Sequence, residues 1–272
     1  MGNELSSQNR LSCKVIYDKN EAINLLNRAE KEDFYLEECY DDRANSLARR
    51  NCSYAPNTIP LREMNYANNY FSNISSIIPQ RLLSELGEIK IINLMPTADG
   101  GMPHTRPGNI ICYPVFDQIY SESTLIHELW HIHQRAYKDL WFKVFKRLGW
   151  LLWDGKLPEM LDNNRRINPD TIDCPLWIFN GEWVSVPIFK DVSHPKINDV
   201  EIWYYNPNKI YHTKKIPVEL QSYFPDLPPS AYEHPREITA YLLSEPAKYE
   251  HTLGFKHLIE EIGHISLVNS KQ

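Results

Sequence analysis

Apolar and polar residues along this chain switch between helical and strand-like spacings, and the switches predict a succession of elements. Asp18 precedes Asn20-Glu21-Ala22-Ile23-Asn24-Leu25-Leu26, a cap followed by apolar residues at helical spacing, which predicts a first short helix. Residues 34–50 carry a weaker helical pattern. From about Leu61 to Leu86, apolar and aromatic residues recur every three or four positions behind Pro60, predicting an amphipathic helix that Pro79 splits. Ile89-Lys90-Ile91-Ile92-Asn93-Leu94 and Asn109-Ile110-Ile111-Cys112-Tyr113 are rich in β-branched residues and read as strands. The turn-forming run from Asp99 to Gly108 lets them pair as a hairpin or lie as neighbours.

A further helix is predicted over roughly Ser123 to Leu140, with Ser121 or Ser123 as its cap. Leu125, Leu129, Ile132 and Ala136 form one apolar stripe and Ile126, Trp130 and Tyr137 a second, so protein encloses most of this helix. Lys143 to Trp153 continues as an aromatic-rich helix or turn. Between Asn168 and Asn208 the pattern becomes strand-like. Asn180-Gly181 separates two aromatic and β-branched runs within Trp177 to Val186, the mark of a hairpin, and Val200 to Tyr205 is a further strand. A proline-rich loop from Pro217 to Pro229 follows, then a helix from Pro235 to Leu243 with proline in its first turn, and a last helix from Tyr249 to Ile262. Trp177, Trp183 and Trp203 read as the core of a β-subdomain.

With 272 residues, of which 42% are apolar and 24% charged, the chain is long enough for one catalytic domain with insertions. That places a flexible tail at residues 1–15 and a single domain at 16–272. A net charge of -6 gives no general attraction to nucleic acid, so no such partner is expected. Five scattered cysteines without a CxxC pair fit reduced thiols and an intracellular setting. The chain has no apolar run of about 18 residues, and it is expected to be neither integral to a membrane nor secreted by the usual route. Met1-Gly2-Asn3-Glu4-Leu5-Ser6 matches the myristoylation pattern, with Gly2 as the acceptor amine. One acyl chain, helped only by Arg10 and Lys14, supports reversible and peripheral membrane attachment.

The chemistry concentrates in His127-Glu128-Leu129-Trp130-His131. Two histidines four apart on a helix sit one turn apart on the same face, so their imidazoles reach one ion. Hydrolytic zinc takes nitrogen and oxygen ligands and keeps a position for water, which it acidifies. Glu128 is then placed to take that water's proton as general base. Such sites normally draw three ligands from the protein. Tyr137 occupies the place of the third histidine of the metzincin arrangement, which excludes that subclass. Glu237, opening a later helix behind Pro235, is the best remaining candidate, with Glu233 and His234 as rivals.

These strings resemble the gluzincin-type zinc peptidases, in which a glutamate on a second helix completes an H-E-x-x-H site. His127 to Arg135 and Glu233 to Tyr241 are also similar to a little-characterised group of proteins classed as zinc peptidases, met in large DNA viruses and some eukaryotes. Pro103-His104-Thr105-Arg106 matches a companion segment of that group. The likeness covers roughly residues 90–135 and 230–245. It implies His127, His131 and Glu237 as ligands of one Zn2+ ion, Glu128 as catalytic base, and a cytoplasmic or virion location if the source is viral. Better-known gluzincins often carry an acidic residue four positions after the ligand, where this chain has Tyr241.

The implied fold is α+β and zincin-like: a small mixed sheet, the active-site helix, and a β-rich insertion before the helix of the third ligand. Tyr232, His234, Tyr241, Tyr211 and His212 are candidate donors to the oxyanion at the attacked carbonyl. Asn109 to Tyr113 is the expected edge strand for extended substrate, with His104 and Arg106 near the cleft mouth. The expected activity is that of a zinc-dependent metallopeptidase, an endopeptidase, acting on peptides or proteins; the alternative is a catalytically inactive zinc-binding interaction or structural protein, membrane-tethered or virion-associated.

Overall fold

In the computed structural model, which describes residues 11–72, 74 and 81–269, the β-branched run around Ile91 forms the middle of a small mixed sheet. The chain is α+β and divides into two compact units, one of residues 1–33 and 53–136 and the other of residues 34–52 and 137–272. Gly2 and Pro79 lie outside the described residues.

The first unit holds β1 (Ser12–Val15), α1 (Lys19–Asp33), α4 (Leu61–Ser72), β2 (Glu88–Asn93), β3 (His104–Arg106), β4 (Ile110–Tyr113) and α5 (Glu122–Ala136). The strand order is β1-β2-β4-β3. β2 pairs in parallel with both β1 and β4, whereas β3 runs antiparallel to β4. The two expected strands are therefore parallel neighbours and not a hairpin, and the turn-rich loop between them contains a strand of its own. The register sets Ile92 beside Cys112, and strand alternation puts Ile110 on the same face. On that face Ala22, Leu26 and Ala29 of α1 join Ile92, Ile110 and Cys112 in one buried cluster. The opposite face carries Ile91, Ile111 and Tyr113, all fully buried.

β1 begins inside the expected tail. Leu11 and Val15 are buried, and the parallel pairing of Ser12 to Val15 with Glu88 to Ile91 orders four residues too few to show a period. The expected helix from Leu61 to Leu86 is α4 followed by a separate 3-10 segment at Arg81–Leu86.

The second unit holds α2 (Tyr35–Asp41), α3 (Arg43–Ala48), α6 (Lys138–Arg147), β5 (Trp150–Leu152), α7 (Glu159–Asp162), β6 (Trp177–Phe179), β7 (Trp183–Phe189), β8 (Val200–Asn206), β9 (Tyr211–Thr213), α8 (Val218–Tyr223), α9 (Pro235–Ser244), α10 (Pro246–Tyr249) and α11 (Leu253–Asn269). Its five strands form an antiparallel meander, β5-β6-β7-β8-β9, which is the β-rich insertion expected between the motif helix and the helix of Glu237. Asn180 at φ 50° and Gly181 at φ 69° are the first two of the three residues that connect β6 to β7, a backbone that asparagine and glycine tolerate at little cost. Leu157, Leu161, Ile178, Val184, Val186, Ile188 and Tyr205 form its core. Phe142 and Phe145 of α6 meet Trp177 edge-on at centroid distances of 4.9 and 5.3 Å.

Asn45 sews the early segment to the rest of this unit. Its Oδ1 accepts from the backbone of Ile167 at 2.9 Å and its Nδ2 donates to the carbonyl of Arg165 at 2.7 Å, so one fully buried amide replaces a strand pairing.

The motif helix ends earlier than its periodicity suggests. Tyr137 leaves helical geometry at φ −117° and ψ 47°, and α6 restarts at the next residue. Among the described residues, no helix is long and apolar enough to cross a membrane.

Candidate metal centre

Helix α5 starts where Ser121 caps it: Ser121 Oγ accepts from Thr124 Oγ1 at 2.8 Å, and its carbonyl takes the N–H of Leu125 at 2.9 Å. Leu125, Leu129 and Trp130 are fully buried, each contributing about 1.5–3 kcal/mol of burial free energy. At the far end Arg135 Nη2 donates to the carbonyl and hydroxyl of Thr105 on β3, at 3.3 and 3.1 Å, and holds the last turn against the sheet.

On this fixed helix the two motif histidines turn their Nε2 atoms toward each other, 2.9 Å apart, with ring planes at 79°. Two nitrogen ligands of a tetrahedral zinc ion, each roughly 2.0–2.1 Å from it, stand about 3.3 Å apart. The pair is thus within about half an ångström of the spacing that chelation requires. His131 is buried and donates from Nδ1 to Gln134 Oε1 at 3.0 Å. His133, pointing elsewhere, packs edge-on against Trp130, and burial lowers its pKa to about 4.

Glu128 lies between the two histidines in sequence and is 4% exposed. It is electrostatically close to Tyr113 of β4: burial, and then the Glu128 carboxylate, hold the Tyr113 hydroxyl well above the ordinary phenol range. Tyr113 is a neutral phenol beside the expected general base, a neighbour that strand patterning did not single out.

His104 and Arg106, expected near a cleft mouth, are buried and committed to partners inside the first unit. His104 donates from Nδ1 to the Met102 carbonyl at 3.1 Å, while its Nε2 faces the Tyr54 hydroxyl at 2.7 Å. Arg106 forks onto Asp33 with two contacts of 2.8 Å and also reaches Glu30 at 2.7 Å and Tyr54 at 2.9 Å. Burial opposes its charge, but the Tyr54 and Asp33 oxygens outweigh that and raise its pKa further. Pro103 to Arg106 therefore ties β3 to α1. β4 is not the edge strand either. Both of its sides are paired, and the outer position belongs to β3, one of whose carbonyls already receives Arg135.

In the second unit the first turn of α9 is set in a cradle formed by residues 166–174. His234 caps the helix, accepting at Nδ1 from the N–H of Arg236 at 3.0 Å and donating from Nε2 to the Cys174 carbonyl at 2.9 Å. Burial, and then the Arg236 charge, push its pKa down to about 3. Arg236 grips Asp173 with both terminal nitrogens, at 2.6 and 3.1 Å; burial works against ionisation of Asp173, yet Arg236 and Lys138 hold it well below the ordinary carboxylate range. Glu233 accepts from Arg166 at 2.5 Å and from Asn168 at 2.6 Å. Its pKa is raised, chiefly by burial. Asn168 also donates to Glu237 Oε1 at 3.3 Å.

These bonds sort the rival ligands. Both nitrogens of His234 and both oxygens of Glu233 are engaged within the unit. Tyr232 is likewise spent as a donor, giving its hydroxyl proton to the Phe224 carbonyl. Glu237 stands in the first turn of α9, where the helix dipole favours a carboxylate. Tyr241 lies one turn further on and is partly exposed. Tyr211 is exposed on β9, where it meets Trp183 edge-on at 6.5 Å, and His212 packs at a tilt against Trp203 at 5.1 Å. Gln134, Tyr113 and Asn168 are the polar neighbours that periodicity did not reveal, although Gln134 stands three residues from His131, a spacing that puts two side chains on one helix face.

Comparisons with protein-family models, with curated proteins and with solved structures find no match to this chain.

Proposed function

We propose that this protein is a zinc-dependent metallohydrolase cleaving peptide bonds, with His127, His131 and Glu237 as ligands of one ion and Glu128 as general base. The observation that carries the reading is the convergence of the two Nε2 atoms of α5 to 2.9 Å, with a buried carboxylate on the residue after the first histidine. Two imidazoles and one carboxylate make the donor set of a hydrolytic zinc site, and the internal bonds of His234 and Glu233 favour Glu237 as the carboxylate. The order of elements supports a zincin-like fold: a small mixed sheet, the motif helix, a β-rich insertion, then the helix of Glu237.

A bound zinc ion would supply Lewis-acid polarisation of the substrate carbonyl and acidification of water. Glu128 accepts the proton of the attacking water and passes it to the departing amine as the C–N bond breaks. Its burial keeps competing solvent from its side chain, which strengthens its electrostatic hold on the transferred proton. Tyr113, kept neutral, adds no charge to the surroundings of Glu128.

Metal content decides the first half of the proposal. Purified wild type is expected to carry one zinc per chain, and His127→Ala and Glu237→Ala to lose it; zinc retained at full affinity by Glu237→Ala removes that ligand, and a metal-free wild type removes the site. A digest of an unbiased peptide library decides the second half: cleavage by wild type and none by zinc-loaded Glu128→Gln is expected, and equal cleavage by both excludes Glu128 as the base.

A further inference from the structure

Gln134 is a feature of α5 that neither apolar packing nor the motif explains. It is fully buried in the last turn of the helix, where a leucine would fill the space without the cost of desolvating an amide. Its Oε1 lies 3.0 Å from His131 Nδ1. An amide oxygen only accepts, so the proton between them belongs to the imidazole, and a neutral imidazole protonated on Nδ1 presents its lone pair on Nε2. Nε2 is the atom that faces His127.

We infer that Gln134 is a positioning residue, which locks His131 in the one tautomer and ring orientation able to bind a metal through Nε2. The inference rests on the zinc reading above and extends it to the groups around the ligands. Residues three apart lie on one helix face, so the contact needs no third element to bring it about. Arg135, the next residue, pins the same turn to β3 through Thr105, which holds the backbone that carries the amide. The partner is an uncharged amide where metal-bound histidines often use a carboxylate. It fixes the tautomer without adding negative charge beside a buried ligand.

The test reads the imidazole and the metal separately. Nitrogen NMR of metal-free wild type is expected to show His131 protonated on Nδ1; a proton on Nε2 overturns the inference whatever the variants do. Gln134→Leu is expected to show a mixture of tautomers and to bind zinc about 10–100-fold more weakly in a chelator competition, the usual size of such effects. Gln134→Glu keeps an acceptor oxygen in place and is expected to recover most of the affinity. Zinc bound equally by wild type and Gln134→Leu overturns the role of Gln134 alone. A wild type that binds no zinc overturns the metal reading, and this role with it.

Discussion

The cap of α9 is a neutral histidine at a helix start, and its burden is best measured with acid. His234 is fully engaged, accepting from the Arg236 N–H and donating to the Cys174 carbonyl. Burial and the neighbouring Arg236 charge lower its pKa from 6.5 to about 3. Protonation removes the acceptor at Nδ1 and puts a cation beside a buried arginine. The unfolded chain therefore binds this proton more readily than the folded one. The stability contributed by the neutral ring is fully present above the unfolded value of 6.5 and is lost as pH falls toward about 3.

At pH 5 the unfolded imidazole lies about 1.5 pH units below its pKa, and at about 1.36 kcal/mol per unit the loss relative to pH 7.5 is about 2 kcal/mol. His234→Asn keeps a capping acceptor at the helix start but cannot titrate. Urea unfolding of both proteins at pH 7.5 and 5.0, in chelator so that neither carries metal, isolates the difference. Wild type is expected to lose about 2 kcal/mol more than the variant. Equal losses would falsify the account of the cap.

Two further perturbations test the frame of each unit. Arg106→Met removes from Asp33, whose side chain is 5% exposed, a fork of two 2.8 Å bonds; unfolding stability is expected to fall by about 3–5 kcal/mol, with partial recovery in Arg106→Met/Asp33→Asn. No recovery in the double variant would locate the cost in lost packing and not in a stranded charge. Asn45→Ala orphans the Ile167 N–H and the Arg165 carbonyl, at about 1–3 kcal/mol for each group left unpaired, read as a lower denaturation midpoint at unchanged slope. A loss below about 0.5 kcal/mol would mean that water replaces the amide.

What periodicity reveals here is what neighbours in sequence decide. The spacing of His127 and His131, the apolar stripes of α5 and the Asn180-Gly181 turn each involve residues within four positions, and all were legible. The end of α5 was not, because Tyr137 breaks the helix without a proline or glycine while the apolar repeat runs on. β3 was hidden for a related reason: three residues between Pro103 and Pro107 are too few to display alternation, and pairing with β4 makes them a strand. The roles of His104, Arg106 and His234 depend on Tyr54, Asp33 and Cys174, partners 50 to 73 positions away, so an isolated histidine or arginine in a polar loop resembles a substrate contact until its partner is known.

The same distinction orders the candidate site by how firmly each part is held. Two of the three proposed ligands share one helix, so their relative placement follows from backbone geometry and survives small movements elsewhere. The tautomer of His131 is set from within that helix by Gln134, again by local spacing. Glu237 is different. Asn168, 69 residues distant, donates to Glu237 at 3.3 Å and to Glu233 at 2.6 Å, so part of what orients it comes from the cradle of residues 166–174. A change in that cradle, such as Asn168→Ala, should therefore weaken zinc binding while leaving the tautomer of His131 as it is. Loss of the Nδ1-protonated form in Asn168→Ala would show that the two supports are not independent, and the division between local and distant control would fail.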